Sequence, residues 1–156
     1  FYNYAINGLE WLSPDIYNRY MIPQARRIND YVHSAGKLSW LHTCGKMKRI
    51  ADMGSYQKMQ VDILESLSSP PTGDITNLAE TRTVIGNGIV TRGGVNCELL
   101  YKKDTEAVKE LTEYVINSTA GYKHMVGDTN DSFPPYPWEN IKAVIDVVKA
   151  SGKLYV

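Results

Sequence analysis

Hydrophobic residues along this chain alternate between short apolar runs and longer segments with helical periodicity. Four apolar runs have the length of a buried strand, and each is followed by turn-forming or polar residues, as is typical of parallel sheets. They span residues 37–42, 61–65, 88–91 and 124–127. A further strand is possible at residues 4–7.

Helix signals fill the intervals between these runs. Ser13 supplies a capping hydroxyl and is followed by a proline and an acid, which predicts a helix to about residue 34, with Ala35-Gly36 as its stop. Asp104 can cap a second helix, and Pro137 begins a third that ends near Ser151-Gly152. Their apolar stripes are Val108, Leu111 and Val115 in the second helix, and Ile141, Val144, Ile145 and Val148 in the third. Weaker patterns predict helices at residues 46–58 and 74–82.

This alternation of strands and helices predicts an α/β fold with a parallel sheet, built as a single domain over residues 1–156. A complete TIM barrel takes about 250 residues, so four or five strand–helix units correspond to roughly half of one. A complete flavodoxin-like, doubly wound domain of five strands is the alternative, and the chain length by itself favours it.

Composition narrows the functional classes. Seventeen basic and seventeen acidic side chains cancel, which argues against a dedicated nucleic-acid or membrane-surface binder. The sequence has no apolar run of about 18 residues, so it predicts no transmembrane helix. Two cysteines indicate a reducing, cytoplasmic setting rather than a disulfide scaffold. The absence of an initiator Met indicates a processed or truncated chain.

The tetrapeptide His42-Thr43-Cys44-Gly45 is the most informative candidate for chemistry. Residues two apart in a strand point to the same side, so His42 and Cys44 converge if the strand continues to Cys44. Imidazole nitrogen and thiolate sulfur are natural ligands of Zn²⁺. A structural Cys beside a hydrogen-bonded His explains the same residues equally well.

Additional candidates follow the later strands, at the rim where parallel α/β sheets place their sites. Glu65 and Cys97 are the further candidate metal ligands, and Asp128 is a candidate catalytic base or ligand. Each also has an ordinary structural explanation, as a loop carboxylate, a helix cap or a small buried side chain. Arg92 can hold a substrate carboxylate or form a surface ion pair, and Asn96 is a second substrate-binding candidate.

Four segments in order resemble the C-terminal half of the uroporphyrinogen decarboxylase superfamily, which includes the corrinoid-dependent methyltransferases. The His42-Thr43-Cys44-Gly45 tetrapeptide is similar to the H-x-C-G strand end of the methyltransferase branch. The other three segments are Leu12-Ser13-Pro14-Asp15-Ile16-Tyr17 with Pro23, Gly93-Gly94-Val95-Asn96 through Val108, and Pro137-Trp138-Glu139-Asn140-Ile141.

The resemblance implies a TIM barrel whose missing strands belong to an N-terminal half or a second chain. It also implies a methyltransferase that moves a methyl group between a corrinoid, carried by a partner protein, and a thiol or tetrahydrofolate acceptor. A zinc centre would use His42, Cys44 and Glu65. Where the family has a later Cys this chain has Gly127-Asp128, so Asp128 or Cys97 would complete the set, or the site is metal-free.

Two other functions stay open beside methyl transfer. One is a metal-free decarboxylase of the same superfamily, in which Arg92 would bind the acidic substrate. The other is a non-enzymatic, flavodoxin-like binding domain.

Overall fold

Five strands form one parallel sheet in the computed structural model, which describes residues 2–3, 12–102, 104–129 and 135–152. The strand predicted at residues 4–7 lies outside the described residues. The strands are β1 Tyr2–Asn3, β2 Trp40–His42, β3 Ile63–Ser66, β4 Val90–Val95 and β5 His124–Asp128.

Helices precede or follow these strands along the chain, as the periodicity predicts. A short α1 passes through a π-helical segment, Tyr17–Met21, into the longer α2. The helices are α1 Pro14–Ile16, α2 Ile22–Ser34, α3 Lys48–Asp52, α4 Ser55–Met59, α5 Leu78–Ile85, α6 Cys97–Tyr101, α7 Thr105–Ser118 and α8 Trp138–Ala150.

The order of strands in the sheet distinguishes the two architectures. The strands lie in the order β1-β2-β3-β4-β5, the same as along the chain, and all four pairings are parallel. Because crossovers between parallel strands are right-handed, a sheet that always grows in one direction carries its helices on one face. A flavodoxin-like domain reverses direction at its first strand, in the order 2-1-3-4-5. The chain therefore has a partial TIM-barrel fold, and the flavodoxin-like alternative is wrong.

The two faces of the sheet differ in chemistry. The face covered by helices carries one residue from each of three adjacent strands, Leu41, Leu64 and Thr91, all fully buried. The main core cluster lies here, where Leu41 and Leu64 join the apolar residues of α2 to α5. The opposite face, which would be the barrel interior, carries the next row, His42, Glu65, Arg92 and Met125, paired in register across β2 to β5.

Most local signals have the expected structural counterparts. Ser13 and Asp104 cap their helices, since the side chain of Ser13 accepts from the backbone N–H of Ile16 and that of Asp104 from Ala107. The helix predicted at residues 46–58 is two short helices, because Gly54 adopts the left-handed conformation (φ 65°) between α3 and α4.

Two other boundaries differ from the prediction. The helix predicted at residues 74–82 begins later, at Leu78, where the Asn77 side chain accepts from the N–H of Glu80. The strand predicted at residues 88–91 continues through Gly93 and Gly94 to Val95. No helix in the described ranges is long and apolar enough to cross a membrane.

Candidate active site

A connected group of charged side chains begins on the open face of the sheet and reaches the end of β5. The Nδ1 atom of His42 is 3.0 Å from Oε1 of Glu65, and because a carboxylate oxygen only accepts, His42 donates this bond. Glu65 also faces Arg92, with 3.5 Å between its Oε1 and Nη1. Arg92 continues the chain to Asp128, since its Nη2 donates to Oδ1 at 2.7 Å. We call His42, Glu65, Arg92 and Asp128 the polar row.

The polar row is largely shielded from water. The side chains of His42, Glu65 and Asp128 are only 3%, 13% and 12% exposed, and that of Arg92 is 28% exposed. Charged groups at such a depth need partners, because solvation no longer offsets the cost of burying them. Glu65 and Asp128 both contact the guanidinium of Arg92, which offsets the repulsion between the two carboxylates.

Gly127 makes the link between Arg92 and Asp128 possible. A Cβ atom placed at Gly127 would lie 3.0 Å from the guanidinium carbon of Arg92 and 3.1 Å from Nη2. The arginine therefore crosses directly over the Gly127 backbone on its way to Asp128. The sequence does not reveal this role, because a glycine near the end of a strand has no evident function until the path of the Arg92 side chain is known.

Trp40 is a second residue that sequence reasoning missed. Its indole Nε1 donates to Oε2 of Glu65 at 2.6 Å, so Glu65 is held by Trp40, His42 and Arg92 together. Trp40 precedes His42 by two positions in β2 and therefore points to the same face. The sequence did contain a signal for this role, since residues two apart in a strand share a face and Trp40 lies two positions before His42.

The candidate metal ligands are only partly brought together. Strand β2 ends at His42, and just beyond it the backbone N–H of Thr43 still donates to the Glu65 carbonyl at 3.3 Å. Convergence of the His42 and Cys44 side chains stays a prediction. Glu65 is engaged by Trp40, His42 and Arg92 instead. Among the residues that the structure describes, no group of three or more His, Cys, Asp or Glu side chains is placed to hold a metal ion. The zinc centre therefore stays a prediction.

Cys97 and Asn96 occupy the start of α6. Cys97 is its first residue and is 6% exposed, and burial raises the pKa of its thiol, which makes the thiolate form needed by a metal less accessible. Asn96 is the N-cap, and its Oδ1 accepts from the backbone N–H of Glu98 at 2.8 Å. Its Nδ2 donates to Ser69 Oγ and to the Pro70 carbonyl. The amide oxygen of Asn96 thus caps α6 and its amide nitrogen holds the loop after β3, a structural role for this substrate-binding candidate.

The chain leaves β3 in an unusual conformation beside the polar row. Ser66 and Leu67 have φ angles of 106° and 53°, a region that non-glycine residues adopt at a cost of about 1–3 kcal/mol. Gly93 lies against Ser66 so closely that a Cβ would be 2.0 Å from the Ser66 carbonyl oxygen. Ser68 then donates to the Thr129 carbonyl at 2.6 Å, which joins the loops after β3 and β5. These contacts fix the rim around Glu65 and Asp128.

The two other histidines have structural partners. Nε2 of His33 is 2.7 Å from Oδ2 of Asp62, and backbone and side-chain hydrogen bonds lower the pKa of that carboxyl despite its partial burial. His124 accepts from the Thr91 hydroxyl at Nδ1 and donates from Nε2 to the Gly93 carbonyl. Burial lowers the pKa of His124 to about 4, so its ring is neutral near pH 7. Neither histidine belongs to the polar row.

The polar row defines a class of site. It holds an oriented imidazole, two carboxylates and a guanidinium at the carboxyl rim of parallel barrel strands, where proteins of this fold carry out their chemistry. Such a set can bind and orient a polar substrate and can move a proton at the imidazole.

Comparison with known proteins identifies the family of the chain. The sequence matches the family model described as uroporphyrinogen decarboxylase (URO-D) over residues 8–151. The chain therefore belongs to the URO-D family, which confirms the family predicted from its motifs. No curated protein matches the sequence.

A solved structure shows the same fold. The chain is similar to a methyltransferase from Methanosarcina mazei, with a TM-score of 0.78 and 16% sequence identity. The alignment covers 96% of this chain and 41% of the methyltransferase, so the chain spans less than half the length of that protein. At this identity the similarity concerns the fold.

Proposed function

We propose that the full-length protein is a methyltransferase of the URO-D family, with its reactive centre at the polar row. The observation that carries this proposal is the ion-paired and hydrogen-bonded series from His42 through Glu65 and Arg92, on the interior face of the barrel, to Asp128 at the end of β5. The interior of a TIM barrel is usually filled by branched apolar side chains. Charged side chains in place of such residues point to a role in chemistry, and the fold neighbour is a methyltransferase.

In this proposal the methyl group passes between a corrinoid, carried by a partner protein, and a thiol or tetrahydrofolate acceptor. A corrinoid supplies the methyl-carrying chemistry when bound. Glu65 fixes the tautomer of His42 by accepting from Nδ1, which assigns the proton-transfer role to Nε2. Arg92 pairs with both acids and holds them in place.

Zinc at His42 and Cys44 remains a proposal beside this one. His42 donates Nδ1–H to a carboxylate, the arrangement that orients many metal-ligating histidines. The remaining ligands would have to come from residues outside the described ranges or from the acceptor itself. No step of the proposed reaction is derived through the metal.

The test is methyl transfer by the full-length protein from methylcobalamin to a thiol or to tetrahydrofolate, with zinc measured in the same preparation. Turnover that falls at least about 100-fold in His42→Ala, with a folded variant, supports the proposal. His33→Ala is the matched control, since His33 is also paired with an acid but lies outside the polar row. Full activity in His42→Ala contradicts the proposal.

Metal-free decarboxylation is the second candidate. The observation in its favour is that Arg92 already engages both acids of the row, so a carboxylate substrate could exchange for one of them. Release of CO₂ from uroporphyrinogen in the presence of a chelator, without methyl transfer, would select this candidate over the first.

A further inference from the structure

The charge balance of the polar row bears on whether its acids can be metal ligands. Glu65 and Asp128 are both largely buried, and each has an oxygen within 4 Å of the Arg92 guanidinium. Two carboxylates and one guanidinium sum to a single negative charge. A divalent cation bound by both acids would have to share this space with a cation that is already there.

The guanidinium is also held in position by packing. It lies against the Gly127 backbone, where the absence of a side chain leaves room for it. Its Nη1 additionally donates to the backbone carbonyl of Asp128 at 3.4 Å. Glu65 is fixed independently by Trp40 at 2.6 Å. The guanidinium of Arg92 is therefore held from both sides, and the missing side chain at Gly127 leaves the space that it fills.

We propose that the Arg92 guanidinium occupies the position between Glu65 and Asp128 that a metal cation would need. Both acids are then positioning residues, and neither is a metal ligand. Glu65 would orient the His42 ring, and Asp128 would anchor Arg92. This inference goes beyond the proposed function, because it concerns which side chains a metal can use and holds for either candidate reaction.

Binding of Co²⁺, followed by its visible absorption and competed with Zn²⁺, tests the proposal in the full-length protein. Arg92→Gln should raise the affinity for divalent metal by at least about tenfold, because two buried carboxylates lose their cation and prefer another. The gain should disappear when Asp128→Asn is added. Arg26→Gln is the matched control, since it removes an arginine from a surface ion pair with Asp30 and should leave metal affinity unchanged.

Asp128→Asn alone provides a second measurement that does not depend on the folding of the arginine variant. The proposal expects metal affinity within about threefold of the wild type, because Asp128 is not a ligand and anchors Arg92 rather than His42. Loss of even a residue that orients a ligand typically costs about 10–100-fold. A larger loss in Asp128→Asn, or an Arg92→Gln variant that folds without gaining affinity, overturns the proposal. Failure of methyl transfer does not affect it, since metal binding is measured without substrate.

Discussion

Gly127→Ala adds one methyl group beneath the Arg92 guanidinium and changes no charge. The new Cβ would lie 3.0 Å from both Cζ and Nε of Arg92, closer than ordinary van der Waals contact. Gly127 is not among the glycines with positive φ, so the backbone itself accepts alanine. The cost therefore comes from Arg92, which must move by several tenths of an ångström while it is bonded to Asp128 at 2.7 Å.

Two effects set the size of this cost. Adding a methyl group to a tightly packed site costs about 1–3 kcal/mol. A hydrogen bond between charged groups contributes about 1.5–3 kcal/mol, and a small displacement loses part of it. We expect Gly127→Ala to lower the free energy of unfolding of the full-length protein by about 1–3 kcal/mol, measured by urea denaturation.

Gly88→Ala is the matched control, since a Cβ there meets no heavy atom within 4 Å. It should change stability by less than about 1 kcal/mol. The decisive measurement is a double-mutant cycle, because in an Arg92→Ala background the methyl group at position 127 has no guanidinium to displace. Equal costs of Gly127→Ala in the two backgrounds, within about 0.5 kcal/mol, would refute the reasoning.

Three further predictions follow from other parts of the structure. Burial lowers the pKa of His124 from 6.5 to about 4, so as the pH falls the unfolded chain takes up this proton before the folded protein does. The free energy of unfolding should therefore decrease by on the order of 3 kcal/mol between pH 6.5 and pH 4. His124→Gln should flatten that decline in pH-dependent unfolding measurements, and an unchanged profile would contradict it. Asn140→Ala should cost about 2–4 kcal/mol in denaturant titrations, because the Leu100 carbonyl loses its buried partner along with a second backbone carbonyl. Maleimide should modify half-buried Cys44 well before Cys97, as read by mass spectrometry of peptides, and equal rates would rule out the burial difference.

The strand pattern and the positions of the charged candidates could be predicted from the sequence, because both depend on short-range periodicity. Glu65 and Asp128 lie at or next to the ends of their strands, and parallel strands bring such ends to one rim. Arg92 was also expected at a strand end, but it is the third of six residues in β4 and joins the two acids through its long side chain. The choice between half a barrel and a flavodoxin-like domain could not be made from periodicity, since both give the same alternation of elements. It depends on the direction in which each crossover moves across the sheet.

Contacts across the sheet were beyond sequence reasoning. Arg92 could be predicted as a binder of carboxylates, but its two partners are residues of this chain. Its passage over Gly127 depends on the register of β5 against β4, in which Arg92 lies opposite Met125. Whether His42 and Cys44 converge depends on the path of the chain after β2, which ends at His42, and strand periodicity does not fix that path. Asn140 belongs to one of the segments that resemble the family, and its Nδ2 donates to the Leu100 carbonyl near the end of α6, a contact that the sequence does not indicate.

The matching order of strands in the sheet and in the chain has a consequence for biosynthesis. Each strand pairs with the one synthesised just before it, so every ladder can close as soon as the next strand–helix unit has left the ribosome. Sheet growth is thereby local, and loop closure stays inexpensive in entropy at each step. His42 and Asp128 come from the second and the fifth strand, however, so the interior charges acquire their full set of counter-ions only when the last of these units docks.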